Sequence, residues 1–173
     1  MAVVGNLEFI KSASGTSVSS LSVTDCFSAK YDVYFISITD IKQASGATNV
    51  TYRYLDSSNT SITSAVYDTA LLALKSASSF AESRSTNQTS GTGLNTYNQT
   101  GTEGLGNSIY IFNPYDSSSY SFALAQTAHS EGGVFVGYKT IGVMKSAQQC
   151  NGIEFSSTSA NFDNITVNVF GVK

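Results

Sequence analysis

Apolar and polar positions alternate with a period of two over much of the chain, the spacing of a β-strand whose successive side chains point to opposite faces. The alternation opens at residues 7–11, and over residues 31–39 it sets Val33 and Phe35 on one face against Tyr34, Ile36 and Ile38 on the other. Both faces of that stretch are apolar, so it is expected inside a sheet and not at its edge. Residues 50–55 read as the next strand. Asp56-Ser57-Ser58-Asn59 ends it in a turn, because short polar side chains bond their own backbone. Ile62 to Val66 is expected to return as its hairpin partner. Further on, residues 108–113 and 120–126 flank a turn around Pro114, the only proline. Three more strands are expected at 134–144, 152–155 and 165–170.

Two stretches interrupt the pattern. Tyr67, Leu71 and Leu74 fall at i, i+4 and i+7 with Ala70 and Ala73 between them, which predicts one short helix, although Tyr67, Thr69 and Leu71 also read as one face of a strand. From 76 to 107 almost every residue is Ser, Thr, Asn, Gln or Gly, and the expectation is a long loop. Within it Asn87-Gln88-Thr89-Ser90-Gly91-Thr92-Gly93-Leu94 is echoed by Asn98-Gln99-Thr100-Gly101-Thr102-Glu103-Gly104-Leu105. Two copies are too few for a solenoid. Long loops inside compact domains commonly serve contact. The candidate intersubunit residues are therefore Asn87, Thr92, Leu94, Tyr97, Asn98 and Leu105, joined by Met1 and Val3 of the amino-terminal segment. Eight to ten strands with at most one helix predict an all-β chain: one antiparallel, jelly-roll-like β-sandwich domain spanning residues 1–173.

Composition narrows the function. Charged residues make up only 12% of the 173, the net charge is −3, and about a third of the chain is Ser, Thr or Asn. Such a neutral, hydroxyl-rich surface suits packing against protein, and it lacks the basic patch that nucleic acid demands. No apolar run approaches the length of a signal core or a membrane span, so neither membrane nor nucleic acid is an expected partner. Cys26 and Cys150 lack the spacing of a redox or metal motif. They read as buried free thiols or as one bridge.

Catalytic chemistry finds little to build on. His129 is the only histidine and has no G-x-S-x-G elbow; beside Ser130-Glu131-Gly132 it reads as a turn residue, with Asp116 or Asp163 the partners a triad would need. One His and two distant Cys cannot make a zinc site. Asp56-Ser57-Ser58-Asn59 and Asp116-Ser117-Ser118-Ser119 hold too few carboxylates for tight calcium, and Glu82, Glu103, Glu131 and Glu154 are scattered. No cofactor is expected. Tyr52, Tyr54, Tyr97, Tyr110, Tyr115, Tyr120 and Tyr138 read either as a platform for stacking sugars or as core and interface packing.

The closing stretch, Gly152-Ile153-Glu154-Phe155, then Asn161-Phe162, then Val167-Asn168-Val169-Phe170-Gly171-Val172-Lys173, resembles the end of small structural proteins of tailed bacteriophages, especially those of marine and cyanobacterial hosts. In that group a G-I-x-F strand is followed by a final strand ending V-x-V-Y/F-G-I/V-K. Tyr67, Leu71-Leu72-Ala73-Leu74 and Ser79-Phe80-Ala81-Glu82 resemble the middle of such proteins more loosely. The resemblance implies a non-enzymatic virion protein made in the host cytoplasm: a capsid decoration, cement or head-fibre protein. It would be homo-oligomeric, a trimer by expectation, and would contact other virion proteins such as the major capsid protein. The alternative is a receptor-binding tail-fibre or tip module that grips a host surface glycan. No catalytic residue carries over.

Overall fold

The computed structural model describes residues 6–43, 49–77, 80–94, 106–131 and 133–173. Eleven strands, and no helix, occur among these residues: β1 (Leu7–Val18), β2 (Ser20–Val23), β3 (Val33–Gln43), β4 (Val50–Leu55), β5 (Tyr67–Lys75), β6 (Ala81–Gln88), β7 (Gly106–Phe112), β8 (Ser121–Glu131), β9 (Val134–Met144), β10 (Gly152–Ser157) and β11 (Phe162–Val172). They form an eight-stranded sheet in the order β1-β11-β3-β7-β8-β9-β5-β6 and a three-stranded sheet in the order β2-β10-β4. Every pairing is antiparallel. The result is the all-β sandwich expected. Its strands divide eight and three, not into the equal halves of a regular jelly roll, so the jelly-roll comparison describes the two layers and not the strand order.

One apolar cluster lies between the sheets. Val50, Tyr52, Tyr54, Ile153 and Phe155 reach in from the small sheet to meet Tyr34, Ile36, Ile38, Ile109, Ile111, Val167 and Val169 from the large one. Tyrosine is unusual in such a place because its hydroxyl needs a partner once buried. Two of these tyrosines use that requirement to fix loops. The Ser28 N–H donates to the Tyr34 hydroxyl at 2.7 Å, which donates back to the Ser28 carbonyl at 2.8 Å. The Tyr67 hydroxyl accepts the Tyr54 N–H and donates to the Ile62 carbonyl, both at 3.1 Å. This second clasp also explains why residues 62–66 form no strand. The ladder from β4 stops at the Leu55–Ser61 bridge and the Ile62 N–H bond to the Tyr54 carbonyl, since a side chain already holds the next donor.

Two further expectations are corrected. The short helix at Tyr67–Leu74 is strand β5, between β9 and β6. Tyr67, Thr69 and Ala73 face the interior while Ala70, Leu72 and Leu74 lie on the opposite face. An apolar residue on each face mimics helical spacing. The stretch from 76 to 107 is also no continuous loop, because β6 occupies Ala81–Gln88 and pairs with β5 from Tyr67–Gln88 to Ala73–Ala81. β6 is an edge strand with almost every side chain exposed, so its sequence carries no apolar alternation.

Beyond β6 the chain turns under the sandwich. Gly91 and Tyr52 exchange two backbone hydrogen bonds at 2.9 and 3.0 Å. The Tyr52 side chain lies so close to Gly91 and to Gly142 of β9 that a methyl group on either would overlap its ring or hydroxyl. Replacing Gly91 by Ala therefore overpacks the core, an error that costs about 1 to 3 kcal/mol. We expect Gly91→Ala to lower the urea midpoint accordingly with an unchanged slope. Gly106→Ala, whose new methyl meets nothing within 4 Å, should leave the midpoint where it was.

Candidate functional site

The small sheet covers one face of the large sheet, and the opposite face is also apolar. Cross-strand register places Phe9, Phe170, Phe35, Tyr110, Leu124, Ile141, Ala70 and Arg84 in a single row, one residue from each of the eight strands. The aromatic half is continuous: ring centroids lie 5.7 Å apart for Phe9–Phe170, 6.0 Å for Phe170–Phe35 and 5.2 Å for Phe35–Tyr110. A second row beside it carries Val33, Phe112, Phe122 and Val143. Phe9 and Ile141 are each 59% exposed, Phe122 45% and Tyr110 40%, and the other apolar residues of the two rows are half-buried. Scattered apolar residues on a surface are ordinary, but a contiguous band across a whole sheet marks a contact site.

The band has relief. Its β1–β11–β3–β7 half is a ridge of aromatic rings. Its β8–β9–β5–β6 half holds a groove of about 570 Å³ lined by Ala70, Arg84, Phe122, Leu124, Ile141 and Val143. The next row towards the other end of the strands turns polar, with Ser12, Asn168, Ser37, Ser108, Gln126 and Lys139. Ion pairs hold the two sides of the sheet. On β1, Glu8 binds Lys30 and, at 3.0 Å, Lys173. On β5, Asp68 binds Lys145 at 2.9 Å. The hydrogen bonds from Lys30 and Lys173 hold the Glu8 carboxyl down at about 2, and Lys145 lowers Asp68 in the same way.

Sequence reasoning placed the contact elsewhere, in eight residues. Met1, Val3, Tyr97, Asn98 and Leu105 lie outside the described residues. Of the other three, Leu94 is a correction: it is fully buried in the chain's own core and has no surface to offer. Asn87 is exposed, yet its N–H donates to Asp68 at 2.7 Å and its side-chain oxygen accepts from Lys145 at 2.8 Å, so it braces the β5–β6 pair. Thr92 is half-buried, its N–H directed to the Thr69 hydroxyl at 3.4 Å. The outer face was missed as a unit, although Val33 and Phe35 were read as one apolar side of their strand.

The residues weighed for chemistry are dispersed. His129 lies in β8, buried, its ring stacked on Tyr138 at 5.3 Å, and is not a turn residue. Asp116 accepts both the N–H and the hydroxyl of Ser118, and Asp56 accepts the N–H groups of Ser58 and Thr60, so both carboxylates close turns. Glu154 pairs with Arg53 at 3.6 Å. Among the described residues no group of three or more His, Cys, Asp or Glu is placed to hold a metal ion. Tyr52, Tyr54 and Tyr138 are buried, Tyr115 is half-buried, and only Tyr110 and Tyr120 of the described candidates stand exposed, so these tyrosines form no shared platform. Cys26 and Cys150 are buried free thiols, each pushed up to about 12 by desolvation.

Compared with known proteins, the chain matches no family model, no curated protein and no solved structure.

Two measurements follow. A carboxylate that ionises more readily when folded stabilises above its unfolded pKa and loses that effect as pH falls through the folded value. For Glu8 the window runs from about 4.5 down to about 2. We expect Glu8→Gln to flatten the decline of the urea midpoint across that window relative to the native chain. The thiols, protonated and buried, should resist iodoacetamide in the native protein, and both should react once it is unfolded in urea.

Proposed function

We propose that this chain is a non-enzymatic structural protein of tailed-phage particles, a capsid decoration or head-fibre protein. It is made in the host cytoplasm and held on the virion by contacts with its own copies and with the major capsid protein. The observation that carries this reading is the apolar band across the outer face of the large sheet. A band of that extent costs solubility while it faces water and becomes favourable when another protein surface covers it. The low charge and the resemblance of the closing strands to small tailed-phage structural proteins support the same reading. A decoration protein stabilises a shell by binding only its assembled form, which draws the equilibrium towards the intact lattice.

The test adds the purified chain to phage heads assembled without it. Saturable co-sedimentation with the heads, with an upward shift in the temperature at which they release DNA, is the expected result. Binding to host-surface polysaccharide with none to heads would replace this reading by the receptor-binding one. Isolated hexamers of capsid protein, lacking the lattice, should bind far more weakly than assembled heads.

A further inference from the structure

We propose that the outer face of the eight-stranded sheet is closed by a second copy of this chain, packed face to face about a two-fold axis that runs along the strands between β7 and β8. The inference deepens the proposed structural role by naming the occupant of its contact surface.

The argument rests on the symmetry of the row. An axis in the plane of the contact, parallel to the strands and midway across eight of them, carries β1 over β6 of the other copy, β11 over β5, β3 over β9 and β7 over β8. Phe9 then lies against Arg84 of the second copy, Phe170 against Ala70, Phe35 against Ile141 and Tyr110 against Leu124. Phe170, Phe35 and Tyr110 of the aromatic half each meet an aliphatic residue of the grooved half, and Phe9 meets Arg84. Ridge fills groove twice over, as an isologous contact requires. At each end the only cation of the row covers the most exposed ring, a cation–π arrangement. In the second row Phe112 faces Phe122 of the other copy beside the axis, and Val33 faces Val143. Two sheets can meet this way within the shallow angle at which twisted sheets pack.

Scale agrees with shape. A stable interface takes roughly 800 Å² from each partner. The first row runs the full width of the eight-stranded sheet, on the order of 30 Å at the usual strand spacing, and Val33, Phe112, Phe122 and Val143 widen the contact at its centre. A smaller ligand would leave most of the row wet. The polar row beyond it, with Ser37, Ser108 and Gln126, provides the hydrated rim that surrounds such a contact.

The deciding experiment uses the full chain carrying Phe9→Cys and Arg84→Cys together. Within one copy these positions are on opposite edges of the sheet, about 30 Å apart at the usual strand spacing, and a short thiol-to-thiol linker cannot join them. The native thiols are buried. A bis-maleimide linker matched to the roughly 10 Å between packed sheets should give a covalent dimer on a denaturing gel, in at least tenfold greater yield than either single substitution gives. Sedimentation equilibrium of the unmodified chain at tens of micromolar should show dimer, and Ile141→Arg, on an exposed site that disturbs no core, should weaken association at least tenfold. Three results would overturn the proposal: an unmodified chain that sediments as monomer, association untouched by Ile141→Arg, or efficient cross-linking by Phe9→Cys alone, which places Phe9 on its own copy about a different axis. All of these use protein without phage heads. Loss of the dimer with head binding intact refutes this contact and leaves the structural role standing, and the reverse outcome separates the two in the other direction.

Discussion

A sheet has two faces, and the architecture follows from how unequally they are covered. Three strands cannot screen eight, and they screen one side only. On that side β2, β10 and β4 lay aromatic and aliphatic side chains onto β11, β3, β7, β8 and β9. On the other, no described strand covers the row of apolar residues from β1 to β5. Burial of apolar surface drives folding, but it does not require that the covering surface belong to the same polypeptide.

The inner layer is held by more than contact area. Tyr52, Tyr54 and Tyr67 pack edge to face and in one stacked pair, with centroids about 6 Å apart for Tyr52–Tyr54 and Tyr54–Tyr67, and Tyr34 packs edge to face on Phe27 and Tyr31. Tyr34 and Tyr67 also use their hydroxyls to pin the loops at residues 28 and 62. A core of leucines would bury the same area without fixing where those loops lie. The glycines at 91 and 142 belong to the same device, because they leave the space the Tyr52 ring occupies.

Much of this was readable from the chain, for reasons that can be assigned residue by residue. Strands with one wet face or two dry ones announce themselves, and β3, β7, β8, β9, β10 and β11 were found where apolar alternation placed them. β5 was ambiguous because Ala70, Leu72 and Leu74 add a second apolar face to the one made by Tyr67, Thr69 and Ala73. β6 was invisible because an edge strand outside the core gives selection no reason to alternate. The apolar band on the outer face was not legible for a different reason. Phe9, Phe35, Tyr110 and Phe170 are ordinary strand residues one at a time, and only the order of strands in the sheet makes them neighbours. The Asn87–Leu94 repeat stands out in the sequence, yet its Leu94 serves the chain's own core.

The strand order also constrains how the protein comes into being. β1 has β11 as its sole partner in the large sheet, with residues 7 and 172 opposite each other, and β11 is inserted between β1 and β3. On the ribosome, β1 must wait for β11 to emerge before its backbone groups find their ladder. Closure of such distant contacts is slow and exposes half-made sheets to each other. The aromatic row is thereby completed late, since Phe9 and Phe170 take their places beside Phe35 and Tyr110 only when β11 inserts.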